Sequence, residues 1–362
     1  MAVKLKSVKD QVIVITGASS GIGLATAKMA CEQGARVVLA ARSIDELNKI
    51  CGDLNEQAGR RCAIAVEADV ADPKDVDKIA ERAIAEFGTF DTWVNNAAVS
   101  IFGKLDETHL DEKRRLFDVN FWGVVHGCRT AVPQLRKTGG AIINIGSVLS
   151  DRAVPIQGIY SASKHAVKAY TDALRMELEA EKAPISVTLV KPGAIDTPYT
   201  ENAAVKMEHA PTHTPPVYAP EVVAKAILEC AAHPQRDVYV GGSAKLISML
   251  ESFMPRLTDL FMERTMMESG QSSAKLDETR PMDQGALYRP SGREGKVRGN
   301  YPGHVAKSSA YTSASLHPGA VAMIATGLGV VAAAGIGLWQ SRRAAGAQPL
   351  TTKISPEEQL VH

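Results

Sequence analysis

Residues 12–23 read Val12-Ile13-Val14-Ile15-Thr16-Gly17-Ala18-Ser19-Ser20-Gly21-Ile22-Gly23 and run directly into LATAKMACEQG at 24–34. The run of β-branched apolar residues makes a short buried strand, and the stretch after Gly23 has the apolar spacing of a helix. Between them lies a glycine-rich turn spaced GxxxGxG, where the commoner form is GxGxxG. Glycines at a helix N-terminus leave backbone amides open to an anion, with no Cβ in the way and the helix dipole to attract it. Gly17, Ser19, Ser20, Gly21, Ile22 and Gly23 are therefore the expected pyrophosphate cradle. An ordinary strand-to-helix turn is the plainer alternative, and the placement between strand and helix weighs against it.

The alternation continues outward from this unit. Short β-branched runs at 11–16, 36–41, 61–66, 91–95, 140–146, 185–190 and 237–240 are separated by longer helical patterns, the signature of repeated βαβ units. The expected fold is α/β, a doubly wound Rossmann-type parallel sheet of about seven strands with helices on both faces. Composition agrees: 45% hydrophobic residues with 5% aromatics leave Ala, Val, Leu and Ile to fill the core, as a sheet covered on both faces requires. With 41 Lys plus Arg against 40 Asp plus Glu, the net charge of +1 gives no field to draw the chain to nucleic acid. Cys31, Cys51, Cys62, Cys128 and Cys230 are odd in number, widely spaced and without CxxC, so neither a disulfide framework nor a zinc site is expected. His126, His165, His209 and His213 lack metal-ligand spacing and read as surface or packing histidines, with no metal expected.

Ligands of such folds collect at the carboxyl ends of the strands. The second strand ends Ala40-Ala41-Arg42-Ser43, with no carboxylate before Asp45. An acid there would hold the 2'-hydroxyl of NAD and an arginine accommodates the 2'-phosphate of NADP, so Arg42 favours NADP (NADPH) over NAD. Asp69, after the third strand, either hydrogen-bonds an adenine amino group or caps the helix that begins near Pro73. Residues 196–219 hold several prolines and no sustained period, which reads as a lid over the strand ends. Tyr160 and Lys164 lie four apart in a helical stretch, facing the same way. An ammonium beside a phenol lowers its pKa from about 10 toward the range of proton exchange near neutral pH. Ser147 ends the fifth strand, and Asn120 ends an earlier helical pattern.

Taken in order, TGASSGIG at 16–23, Asn95-Asn96-Ala97, Asn120, Ser147, Tyr160-x-x-x-Lys164 and Pro192-Gly193 with Thr197 make residues 9–265 resemble the short-chain dehydrogenase/reductases, in their shorter branch. The resemblance implies that Tyr160 is the general acid in reduction and base in oxidation, while Ser147 orients the substrate oxygen. It implies that Lys164 lowers the Tyr160 pKa and holds the nicotinamide ribose, and that Asn120 positions a water in a proton relay. Asn96 would contact the cofactor near the ribose, and Thr197, with Pro192 and Gly193 beside it, the nicotinamide carboxamide. Two positions depart from the family pattern: Ala98 where glycine is usual, and Ser20 where NADP-preferring relatives often carry a basic residue. The implied activity is NADP(H)-dependent interconversion of a carbonyl and a secondary alcohol, in a homo-oligomer built through helices near 112–137 and 158–182. A non-catalytic nucleotide sensor or scaffold is the alternative, and it gives no chemical reason to retain all of Asn120, Ser147, Tyr160 and Lys164.

Beyond this core, 244–268 reads as an amphipathic helix that completes a catalytic domain at 1–268. Residues 269–318 are rich in Gly, Ser, Arg and Pro and read as a flexible linker. Gly319 to Trp339 carries no charge and ends ahead of Arg342 and Arg343, a transmembrane helix by length, with 340–362 a short polar tail. The expectation is a membrane-anchored enzyme with its catalytic domain facing the cytoplasm, where NADPH is supplied, and a lipophilic small-molecule substrate. Arg342, Arg343 and Lys353 against Lys307 would place the short tail in the cytosol as well, a conflict that an interfacial or re-entrant segment would resolve.

Overall fold

The computed structural model describes residues 3–242, 253–268, 271–275 and 285–317. Its sheet holds seven strands, β1 (Val12–Thr16), β2 (Arg36–Ala41), β3 (Ala63–Glu67), β4 (Thr92–Asn95), β5 (Gly140–Ile145), β6 (Ile185–Pro192) and β7 (Asp237–Val240). Every pairing is parallel, in the order β7-β6-β5-β4-β1-β2-β3. Each strand falls on one of the β-branched runs of the sequence. The order reverses between β1 and β4, and that switch point opens a crevice at the carboxyl ends of the strands.

Alternation along the strands sends residues to two cores. Ile13, Ile15, Val37 and Leu39 face α1 (Gly21–Glu32), α2 (Ile44–Ala58) and, further along, α8 (Pro220–Ala232). Val12, Val14, Val38 and Trp93 face α3 (Pro73–Phe87), α5 (Gly123–Thr138) and α6 (Gly158–Ala180). Between α3 and α5 runs α4 (Leu110–Phe117), and α7 (Tyr199–Asn202) is a short turn of helix after β6. Fully buried leucines such as Leu24, Leu47 and Leu135 each contribute about 1.5–3 kcal/mol of transfer free energy. Helix starts follow local chemistry: Asp72 caps α3 by accepting from Lys74 N (2.9 Å) with Pro73 as its first residue, and Pro220 opens α8. At Gly127 a Cβ would stand 2.0 Å from Asn95 Oδ1, so glycine is what lets α5 approach β4.

A ladder of buried polar side chains ties the sheet to α6. Trp93 Nε1 donates to Asn95 Oδ1 (2.8 Å), Asn95 Nδ2 to Asn144 Oδ1 (2.8 Å), and Asn144 Nδ2 to Thr171 Oγ1 (2.9 Å). Such a chain is stabilising because every member is satisfied, and it sets the position of α6 against β5.

After β7 the structure differs from the linker reading. Residues 285–316 belong to the same compact unit as the Rossmann core, which extends to Leu316. Leu287 is fully buried, Val305–Ala306 pairs in parallel with Val217–Tyr218, and α10 (Ala310–Leu316), which follows α9 (Pro255–Glu268) in the chain, packs on β7. The composition is linker-like because backbone hydrogen bonds and arginines, rather than aliphatic side chains, do most of the anchoring. The lid is likewise ordered, carrying α7 and short strands at Ala204–Val205, His209–Pro211 and Val217–Tyr218. Residues 317–362 form a second unit, and both the hydrophobic stretch 319–339 and the tail lie outside the described residues. Among the described residues no helix is long and apolar enough to cross a membrane.

Candidate active site

A cavity of about 610 Å³ opens at the carboxyl ends of β1, β2, β4, β5 and β6. Its walls bring together Gly17, Ser19, Ser20, Gly21 and Ile22 of the glycine-rich loop, Arg42 and Asp69 past β2 and β3, and Asn96 past β4. Ser147, Tyr160, Lys164, Pro192, Gly193 and Thr197 line it from the other side. Gly23 and Asn120 stand behind the wall.

The loop takes its shape from its glycines. Gly17 and Gly21 have φ of +64° and +54°, and a Cβ at Gly23 would fall 2.4 Å from Gly17 O. Asn96 braces the same turn, its Nδ2 donating to Thr16 O (2.9 Å) and Gly17 O (3.1 Å). Its amide nitrogen is thus engaged by the turn, while Asn96 still lines the cavity. Asp69 does not cap α3, which Asp72 does; its carboxylate pairs with Arg115 and accepts from Ala71 N (3.0 Å).

The opposite end of the cavity lies between β5 and α6. Ser147 follows β5 in an extended conformation, and its Oγ accepts from Leu149 N (3.1 Å). Tyr160, one turn into α6, is hydrogen-bonded to Ser147 and Tyr199. Lys164 Nζ donates to Ile145 O (2.8 Å) and lies 5.6 Å from the Tyr160 ring centroid. Burial governs both groups: it pushes the Tyr160 hydroxyl up to about 12, against its hydrogen bonds with Tyr199 and Ser147, and brings the Lys164 ammonium down to about 8. The expected lowering of the Tyr160 pKa by Lys164 is not found: the groups that act on the hydroxyl are its burial, Tyr199 and Ser147, and Tyr160 is held protonated. Asn120 sits in a π-helical turn (Asp118–Trp122) and is fully buried. Its Oδ1 accepts from Val99 N (2.8 Å), while Nδ2 donates to Val99 O (3.0 Å) and Ser163 Oγ (3.2 Å), so it fastens the segment after β4 to α6.

Several cavity residues escaped sequence reasoning. Tyr199 of the lid stacks edge-on to Tyr160 (5.5 Å), donates to Ser100 Oγ (2.7 Å) and accepts from Gln157 Nε2 (2.8 Å). No spacing marked these three, because the lid has no period to read. His213, read as a surface or packing residue, lines the cavity with its pKa lowered by burial. The largest omission is the strap 285–299, whose Ala286, Pro290, Ser291 and Glu294 form one wall. Arg42, expected at a 2'-phosphate, turns to this strap instead, donating to carbonyls of Ala286, Leu287 and Arg289.

A family model described as short chain dehydrogenase matches residues 11–208. The chain belongs to the short-chain dehydrogenase/reductase family. Oxidoreductase YxnA of Bacillus subtilis (strain 168) is 48% identical over 334 residues, 91% of this chain and 92% of that protein, a span that reaches beyond the Rossmann core. A short-chain dehydrogenase/reductase from Burkholderia phymatum, solved in complex with NAD, is 25% identical with a TM-score of 0.60, covering 74% of this chain and 98% of its own. L-Sorbose reductase from Gluconobacter frateurii, solved with NADPH and L-sorbose, is 28% identical with a TM-score of 0.56, covering 67% and 98%. The chain is thus an oxidoreductase of this family, whose members use nicotinamide cofactors on small molecules, and these two structural neighbours hold different forms of the cofactor.

Proposed function

We propose that this short-chain dehydrogenase/reductase interconverts a carbonyl and a secondary alcohol on an apolar small molecule, with a nicotinamide dinucleotide in the cavity and Tyr160 as its acid/base. The observation that carries the reading is the meeting of Ser147, Tyr160 and Lys164 at one end of a cavity whose other end is the glycine-rich loop. The residues fit a dinucleotide: the glycine-rich loop and the N-terminus of α1 face the cavity at Ser19, Ser20 and Ile22, where an anion is favoured, although Gly21 N is already bonded to Lys296 O (2.9 Å), and the cavity runs from Arg42 and Asp69 to Thr197. When bound, the cofactor supplies or takes the hydride.

The chain manages the proton. In reduction, Ser147 Oγ and Tyr160 Oη converge on the substrate oxygen, and Tyr160, protonated through burial, donates its proton there. Lys164, buried beside the Tyr160 ring and held by its hydrogen bond to Ile145 O, balances the phenolate that results. In oxidation the same hydroxyl accepts the proton back. Val99, Phe102, Leu149, Val154, Phe261 and Met262 line the cavity alongside Ser100, Gln157 and His213, and this apolar share supports a substrate that is apolar around its carbonyl. We extend the proposal to location: the uncharged stretch 319–339 tethers the enzyme to a membrane, with the catalytic domain on the cytoplasmic side and a lipophilic substrate within reach.

The test is turnover of the full chain on a panel of apolar ketones and polyhydroxy ketones, with NADH and NADPH. The expected outcome is a higher kcat/KM on the apolar ketones. Equal or better turnover of the polyhydroxy ketones would contradict the substrate class, and no turnover on any carbonyl despite bound cofactor would contradict the reaction.

A further inference from the structure

This inference rests on the reading above, that the cavity holds a nicotinamide dinucleotide, and concerns which form it takes. The end of β2 carries no carboxylate, although Rossmann folds use one there to accept from the adenosine ribose 2'-hydroxyl. The strap passes over that end. Arg42 donates from Nη1 to Leu287 O (3.1 Å) and from Nη2 to Ala286 O (2.6 Å) and Arg289 O (3.4 Å). Leu287 is fully buried, and its carbonyl also accepts from Arg115 Nε (3.0 Å). Further along, Gly295 N donates to Ser19 O (2.8 Å) and Gly21 N to Lys296 O (2.9 Å), so the strap is paired with the glycine-rich loop.

Residues 290–294 therefore arc from the end of β2 to the phosphate cradle, the span an adenosine ribose occupies between adenine and pyrophosphate. Pro290, Ser291 and Glu294 line the cavity on this arc. Ser291 donates from its backbone N (2.9 Å) and its Oγ (3.4 Å) to Glu294 Oε1, which fixes the carboxylate on the wall. We propose that Glu294 supplies from the strap the ribose-binding carboxylate that β2 lacks, and that the enzyme consequently selects NAD(H) over NADP(H).

Arg42 becomes a positioning residue that holds the strap, reversing the expectation drawn from its place after β2. A 2'-phosphate would meet Glu294 as a like charge. Three of the five N–H groups of the Arg42 guanidinium are already engaged by strap carbonyls, which leaves it fewer donors to turn toward such a phosphate. A ribose hydroxyl, by contrast, can donate to the carboxylate.

Titration of the full-length chain with NADH and with NADPH, followed by nicotinamide fluorescence, tests this. NADH is expected to bind about tenfold tighter or more. Glu294→Gln keeps an acceptor for Ser291 but removes the charge, and is expected to bring the two dissociation constants within about threefold of each other. Arg42→Gln, which loosens the strap, is expected to weaken both forms alike and leave NADH ahead. Tighter NADPH binding by the native chain, an unchanged preference in Glu294→Gln, or loss of NADPH alone in Arg42→Gln would overturn the inference and return Arg42 to the 2'-phosphate. Failure of both forms to bind a chain whose circular dichroism is native would instead sink the reading of the cavity, a separate result.

Discussion

Lys164 is buried inside α6 with its ammonium on the Ile145 carbonyl, and burial brings its pKa down to about 8. Below that pH it carries a proton and can balance the phenolate left on Tyr160; above it the charge is gone. Tyr160, pushed up to about 12, stays protonated through the same interval. The rate of carbonyl reduction is therefore expected to fall as pH rises through about 8, with Lys164 and not Tyr160 as the titrating group. A pH–rate profile of Lys164→Arg checks this: the guanidinium does not titrate there, so the alkaline fall should vanish, at a lower plateau. A fall at the same pH in that variant would assign the limb to another group. Ser147, Tyr160 and Lys164 were legible from sequence because helical spacing and strand ends are one-dimensional signals. Tyr199, Ser100 and Gln157 were not, since their meeting depends on where an aperiodic lid folds back.

At the scale of elements, the loop after β5 is pinned by a cluster that closes behind Ser147. Asp151 is paired with Lys168 of α6 and Lys191 of β6, and accepts from Tyr239 Oη of β7 (2.7 Å). Burial alone would raise the Asp151 pKa, but the bonds from Lys168 and Tyr239 and the charge of Lys191 hold it at about 2. A folded-state pKa below the usual value of about 3.9 means a contribution of about 2–3 kcal/mol that is present above pH 4 and lost as pH falls through 2. Asp151→Asn is expected to cost at least about 2 kcal/mol, because it also leaves Lys191 buried beside a neutral group. Urea unfolding of both proteins at neutral pH checks the loss, and equal midpoints would contradict it. The strands were readable to within a residue or two because parallel strands buried on both faces write continuous β-branched runs. The strap was not, because arginines that bind main-chain carbonyls leave the same composition as a linker.

On the scale of the whole molecule, the chain carries an oxidoreductase core closed by its own strap and, further along the sequence, the uncharged stretch 319–339. The strap links the phosphate loop to the lid, since Ala286 N donates to Asn202 O (2.7 Å) and Arg298 reaches Glu221 at the start of α8 (2.8 Å). Cofactor and substrate ends thus share one element. If 319–339 tethers the enzyme, full-length chain is expected to sediment with membranes and resist extraction by salt, while a chain ending at residue 318 stays in the supernatant with its cofactor affinity intact. Equal partition of the two would remove the tether.

The most direct test of the central claim is a single turnover on full-length chain preloaded with reduced cofactor and mixed with an apolar ketone, following nicotinamide absorbance in the native protein and in Tyr160→Phe. The account predicts oxidation of the bound cofactor in the native chain and a loss of about 10²-fold or more in the variant, with cofactor affinity unchanged. A variant that oxidises its cofactor as fast as the native chain would contradict it, since the proton would then come from elsewhere.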